Sequence, residues 1–153
     1  EFEITESVLV DNYEQVNNKI DENKKMGIKT SLDDFGTGFS SYSRLEELQI
    51  EDVKIDKLFI DKIIEVDEKH LILSDIISMS HKMGLQVIAE GVESEEQVVY
   101  LRKHHCDMIQ GYHLSRPLFD DQALDFLRGF NKDKETNWNC LLVDAQQIDK
   151  IKR

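Results

Sequence analysis

Two adjacent aspartates, Asp33 and Asp34, stand directly before Phe35-Gly36-Thr37-Gly38. Neighbouring carboxylates can serve two divalent ions at once, one bridging the ions while the other takes the second. Paired ions about 3.5–4 Å apart activate a water and neutralise the charge of a phosphate. Oxygen ligands suit Mg²⁺ or Mn²⁺. A nearby lysine such as Lys54 would orient the water or stabilise developing negative charge. Each residue also has a plainer use. Asp33-Asp34 can cap a turn before the glycines. Lys54 can snorkel outward. Glu90 can belong to the turn before Gly91, and Gln110 to a solvated strand end. Gly36 and Gly38 can cradle a phosphate or simply open a loop. Glu6 can cap the helix that follows it.

The elements that must position these residues alternate between strand and helix. Residues 1–4 read as the end of a strand. Residues 12–26 read as a helix, with Tyr13, Val16 and Ile20 on one face and Gly27 as the stop. Ile28 to Leu32 reads as a strand running into Asp33-Asp34, and a short helix is expected around Tyr42 to Leu48. Val53 to Ile55 is the next strand, followed by a helical turn at Leu58 to Ile63. A longer helix over residues 68–83 carries a stripe of Leu71, Ile72, Ile76, Ile77 and Met79, ended by Gly84. Gln86 to Ala89 is a strand ending at Glu90. Ser94-Glu95-Glu96-Gln97 forms a capping box for a helix to about His104. Met108-Ile109 is a strand ending at Gln110, and Asp120 to Phe130 reads as helical.

This β–α rhythm implies parallel strands with helices on the outside. Glu3, Asp33, Lys54, Glu90 and Gln110 then fall at or near the C-terminal ends of strands. Those ends share one face in a parallel α/β architecture, and active sites lie on that face. The joint pattern points to a site more strongly than any one residue does.

Composition narrows the partners. The 153 residues are 33% charged and 40% hydrophobic, a balance that supports a packed globular core. A net charge of −12 repels nucleic-acid polymers and anionic membranes, so a phosphate substrate requires local cations. Cys106 and Cys140 lack zinc spacing and read as reduced thiols of a cytoplasmic protein. No apolar run approaches the ~20 residues of a membrane span. The tail from Asn131 is polar and lysine-rich, apart from the apolar run Cys140 to Val143. Glu1-Phe2-Glu3-Ile4 reads as mid-strand, so the chain is expected to begin inside a domain.

Five motifs in order resemble those of the EAL domain family. They are Glu3-Ile4-Thr5-Glu6, Asp33-Asp34-Phe35-Gly36-Thr37-Gly38, Val53-Lys54-Ile55-Asp56, Ala89-Glu90-Gly91-Val92-Glu93, and Gln110-Gly111-Tyr112 with Ser115-Arg116-Pro117. The resemblance implies a partial (β/α)8 TIM-like barrel, with residues 1–130 as its C-terminal β/α units and residues 131–153 as a tail. It implies hydrolysis of cyclic di-GMP to linear pGpG with two Mg²⁺ or Mn²⁺ ions, and a homodimer. Glu3, Asp33, Asp34 and Glu90 are the implied metal ligands, with Glu90 alternatively a general base. Lys54 would sit beside the nucleophilic water, and Gln110, Arg116 and Pro117 would contact substrate. Glu6, Gly36, Thr37, Gly38 and Glu93 would support the loop and the site. The family's Glu-Ala-Leu strand and an asparagine ligand are expected upstream of Glu1, so the chain by itself is expected to be inactive. A catalytically degenerate receptor or a dimerisation module is the alternative.

Overall fold

The computed structural model describes residues 2–36, 45, 47–67 and 71–130. Its strands are β1 (Phe2–Thr5), β2 (Thr30–Phe35), β3 (Asp52–Ile55), β4 (Gln86–Ala89) and β5 (Met108–Ile109). Its helices are α1 (Val8–Lys25), α2 (Lys57–Glu65), α3 (Leu73–Lys82), α4 (Glu95–Lys103) and α5 (Asp120–Phe130). All strands pair in parallel in the order β1-β2-β3-β4-β5. Strand order therefore follows chain order and never reverses. Right-handed crossovers without a reversal put every connecting helix on the same side of the sheet. A doubly wound sheet needs a reversal, whereas a barrel does not.

Local chemistry sets the ends of the helices. α1 stops where Gly27 takes φ 74° and the Ile28 N–H reaches back to Asn23 O at 2.9 Å. α3 closes the same way, with Gly84 at φ 78° and Leu85 N–H on Ser80 O at 3.1 Å. Both are the wide 6→1 closures that a left-handed glycine permits. The Asp56 carboxylate caps α2 by accepting from Leu58 N–H at 2.7 Å. Ser94 and Gln97 form the expected capping box at α4.

Several boundaries differ from expectation. α1 begins at Val8, four residues before the expected start, because the stripe of Tyr13, Val16 and Ile20 marks only the face that packs on the core and not where the helix begins. Of the helix expected over 68–83, residues 68–70 lie outside the described residues and the described helix is Leu73–Lys82; Ile72 is its N-cap and is exposed, so it leaves the stripe. β2 does not stop at Leu32 but runs through the aspartate pair to Phe35. Most of the helix expected at Tyr42 to Leu48 lies outside the described residues, as do the tail and its Cys140 to Val143 run.

The core lies between the sheet and its helices. Leu32, Val53, Ile55, Val87, Ala89 and Ile109 are buried in the sheet, and Ile20, Ile60, Leu73, Ile77 and Leu101 cover them. Each such large aliphatic side chain contributes about 1.5–3 kcal/mol on burial. The core makes the sheet rigid, and the sheet aligns the strand ends on which the polar residues sit.

Candidate active site

β2 should turn successive side chains to opposite faces. Instead its pairing with β3 shifts register between Leu32 and Phe35, and Asp34 adopts φ 56°. Such a left-handed conformation is uncommon for a residue with a Cβ, and aspartate is among the few side chains that tolerate it. The irregularity breaks the alternation and lets both carboxylates approach one spot. The Asp34 N–H donates to Asp33 Oδ1 at 3.1 Å and fixes the pair locally. As a result, carboxylate oxygens of Asp33, Asp34 and Glu90 all lie within 4.8 Å of one another, each on a half-buried residue.

Lys54 stands among these acids, only 6% exposed. Its Nζ lies 2.6 Å from Glu90 Oε1, 2.8 Å from Glu3 Oε1 and 3.6 Å from Asp33 Oδ1. Burial works to lower its pKa. The hydrogen bonds to Glu3 and Glu90, with the charges of Glu90 and Asp33, outweigh burial and hold the ammonium above the ordinary lysine range. On the acids, burial acts the other way and raises the pKa. Burial raises the Asp34 carboxyl, helped by the charge of Asp33 and by Asp56, which bonds to it. Burial also raises Glu90, against the pull of Lys54. One lysine does not neutralise this many carboxylates. The surplus of negative charge on oxygen donors fits a hard divalent cation.

An open cavity of about 490 Å³ lies at the C-terminal ends of the strands, and Asp34 is not among the residues that line it. Glu3, Asp33, Lys54, Glu90 and Gln110 all reach it, as do Asp56, Lys57 and Glu93. Gly111, part of the same wall, takes φ 156° against the Val92 backbone, where no side chain would fit. Glu6, buried, accepts from Gly36 N–H at 3.3 Å, at the start of the loop after β2. Gly36 itself lines a separate apolar groove beside Phe59, and Thr37 and Gly38 lie outside the described residues. Arg116 and Pro117 are exposed and are not among the cavity-lining residues; the Arg116 guanidinium lies 5.1 Å from the ring centre of Tyr112, which does line it.

Three contributors escaped the sequence analysis. Lys57 binds Glu93 at 2.9 Å and Asp61 at 3.0 Å. Asp56 joins the acid cluster while capping α2. Gln97, 1% exposed, accepts from Glu93 N–H at 2.7 Å and Ser94 N–H at 3.0 Å, and donates to Ile60 O at 3.3 Å. Asp56 left a signal as the last residue of the Val53-to-Asp56 motif, and Gln97 as the fourth residue of the capping box.

A singly wound parallel α/β unit with a cluster of acids around a buried lysine at its strand ends is the class that fold and site define. The chain belongs to the EAL domain family, whose sequence model matches residues 1–117. Its sheet is accordingly part of a TIM-like barrel, as in the solved structures of that family. Cyclic di-GMP phosphodiesterase NbdA of Pseudomonas aeruginosa is 39% identical over 133 residues, which is 87% of this chain and 17% of NbdA. The PaMucR phosphodiesterase in its c-di-GMP complex matches at a TM-score of 0.74 and 34% identity, over 79% of this chain and 49% of that one. A manganese/cy-diGMP complex of Klebsiella pneumoniae BlrP1 matches at 0.66 and 29% identity, over 74% of this chain and 29% of that one. The chain thus spans less than a fifth of NbdA. No helix among the described residues is long and apolar enough to cross a membrane.

Proposed function

We propose that the protein carrying this chain hydrolyses one phosphodiester bond of cyclic di-GMP, opening the ring to linear pGpG. The convergence of Asp33, Asp34 and Glu90 around a cation-sized space, with Lys54 buried beside them, carries this reading. The names of similar proteins supply the substrate class. Glu3, Asp33, Asp34 and Glu90 are the ligands in this proposal, for two Mn²⁺ or Mg²⁺ ions in the complete site. When bound, the ions supply an activated water and neutralise phosphate charge.

The remaining work belongs to the chain's own side chains. Lys54, fixed by Glu3 and Glu90, presents its ammonium to the attacking water and the phosphate oxygens. Gln110 forms part of the wall that receives the nucleotide, with Arg116 and Pro117 further out beyond Tyr112. Glu6 and Glu93 hold the loops that follow β2 and β4. The water oxygen joins phosphorus, the ribose 3′-oxygen leaves, and that oxygen takes up a proton. A homodimer belongs to the same proposal, with the Glu6–Gly36 contact as the link between loop and site.

Chromatography of cyclic di-GMP incubated with the full-length protein and Mn²⁺ tests the reading. Linear pGpG should form, EDTA should stop it, and Asp33→Asn should lower kcat by more than about a hundredfold, since even supporting residues around a metal are worth 10–100-fold. Binding of cyclic di-GMP by the wild type without turnover would show a receptor instead.

A further inference from the structure

Lys57 is the second cation of the cavity, and the roles above leave it without one. It is the first residue of α2, directly after the cap Asp56. One short segment, residues 54–57, therefore delivers both ammoniums: Lys54 reaches into the acids, and Lys57 lies along the rim. Its Nζ meets Glu93 Oε1 at 2.9 Å, Asp61 Oδ1 at 3.0 Å and Gly91 O at 3.5 Å. Burial of the ammonium is slight, and the bonds to Glu93 and Asp61 hold its pKa up.

The stem of Lys57 is placed as firmly as its tip. Gly91 sits at φ 68°, and a Cβ added there would lie 2.5–2.7 Å from Cβ, Cγ and Cδ of Lys57. Those are closer than any carbon–carbon contact allows. The lysine stem thus fills the space that a side chain at position 91 would occupy. The clash involves the root of the stem, which the start of α2 fixes, so rotating the far end of the side chain would not clear it.

What this contact braces is the turn from Glu90 to Glu93. Neighbouring elements hold that turn by its backbone. Glu90 N–H donates to Ile55 O at 3.1 Å, Val92 N–H to Gln110 O at 3.0 Å, and Glu93 N–H to Gln97 Oε1 at 2.7 Å. Lys57 adds a brace from the side of β3 and α2, through the slot at Gly91 and the Glu93 carboxylate. The geometry points to Lys57 as a positioning residue: it locks the Glu90–Glu93 turn and so aims the Glu90 carboxylate at the cation site. The inference rests on the proposed role of Glu90 as a ligand. Groups that orient metal ligands typically change affinity or activity by 10–100-fold when removed.

Calorimetry of Mn²⁺ binding to the full-length protein, beside steady-state kinetics, tests it. Lys57→Met keeps the stem and loses the ammonium, and Lys57→Gln is a second neutral variant. Both should raise the Mn²⁺ Kd about tenfold and lower kcat at subsaturating Mn²⁺, with KM for cyclic di-GMP within about twofold. Lys57→Arg should recover most of the loss, because a guanidinium still reaches Glu93. Unchanged Mn²⁺ affinity in both neutral variants would overturn the inference. A rise in KM alone would overturn it too, by making Lys57 a substrate contact. A wild type that binds no Mn²⁺ would remove the ligand reading itself; a wild type that binds, matched by its neutral variants, would remove only the role of Lys57.

Discussion

The two ends of the sheet are built from the same residue types and balance charge in opposite ways. At the N-terminal ends of the strands, the acids Asp107 and Glu51 each pair off locally. Asp107 Oδ2 lies 2.7 Å from His81 Nε2 and accepts from the Val87 N–H at 2.8 Å. Glu51 accepts from Thr30 N–H at 3.1 Å and lies 3.9 Å from Lys24 Nζ. At the C-terminal ends, Glu3, Asp33, Asp34, Asp56 and Glu90 crowd around one buried lysine, and Asp34 and Gly91 take left-handed backbone. Stability alone favours the first arrangement. The second leaves negative charge for something to bind, at the cost of strain that the core must offset.

Removing Lys54 breaks this contrast most severely. Lys54→Met should abolish turnover in the full-length protein and destabilise the metal-free form by about 3 kcal/mol at neutral pH. That figure is the lower end for breaking a buried ion pair, because its partner acids keep about a fifth of their side chains exposed. The pKa of Lys54 is raised in the folded state above its ordinary 10.5. Its contribution is therefore fully present below the unfolded value and is lost only as pH rises through the folded one. Urea midpoints of wild type and variant should differ by a constant amount between about pH 6 and pH 9. A variant as stable as the wild type would mean that the acids relieve themselves without the lysine.

At the opposite end, Asp107→Ala leaves the Val87 N–H, on a fully buried residue, without its acceptor and strips His81 of its partner. A loss of about 1–3 kcal/mol is expected for such an unsatisfied group. Mn²⁺ affinity should stay within about twofold, because nothing at this end touches the cation site. Weakened Mn²⁺ binding in this variant would mean that the two ends are not independent.

How much of this was legible follows from what each feature depends on. Gly27 and Gly84 as helix stops, the Ser94–Gln97 box and the row of polar strand ends all rest on local chemistry, and the sequence displays local chemistry directly. The convergence of Asp33 and Asp34 does not. Strict alternation would send them to opposite faces, and only the register shift against β3 turns both toward Glu90. A register shift is a property of two strands, and neither strand announces it. The parts that Lys57 and Asp56 play were hidden for a related reason. As a helix start they look like ordinary capping chemistry, and their nearness to Glu93 and Asp34 depends on how α2 sits against the β4–α4 turn. Gln97 was visible as a cap, but its bond to Ile60 O, which ties α4 to α2, was not.

Cys106 gives the finest test of the contrast, because it is a titratable group at the quiet end of the sheet. It is buried just before β5, and its Sγ lies 3.3 Å from Met108 O and 3.5 Å from Val87 O. No cation is among the groups that set its pKa, so burial dominates and pushes the thiol up to about 12 from an ordinary 9.0. The folded state therefore holds a proton that the unfolded state releases, and stability should fall as pH rises from about 9 toward about 12. Only the thiolate reacts with alkylating agents. At about pH 8 the folded thiol should react about a thousandfold more slowly than the same cysteine in urea, from the thiolate fractions alone. Mass spectrometry of the tryptic peptide spanning residues 104–128, which runs through the uncleaved Arg116–Pro117 bond, reads Cys106 separately from Cys140. Comparable labelling in the folded protein would mean that this end opens to solvent and that the strand ends differ less than their geometry indicates.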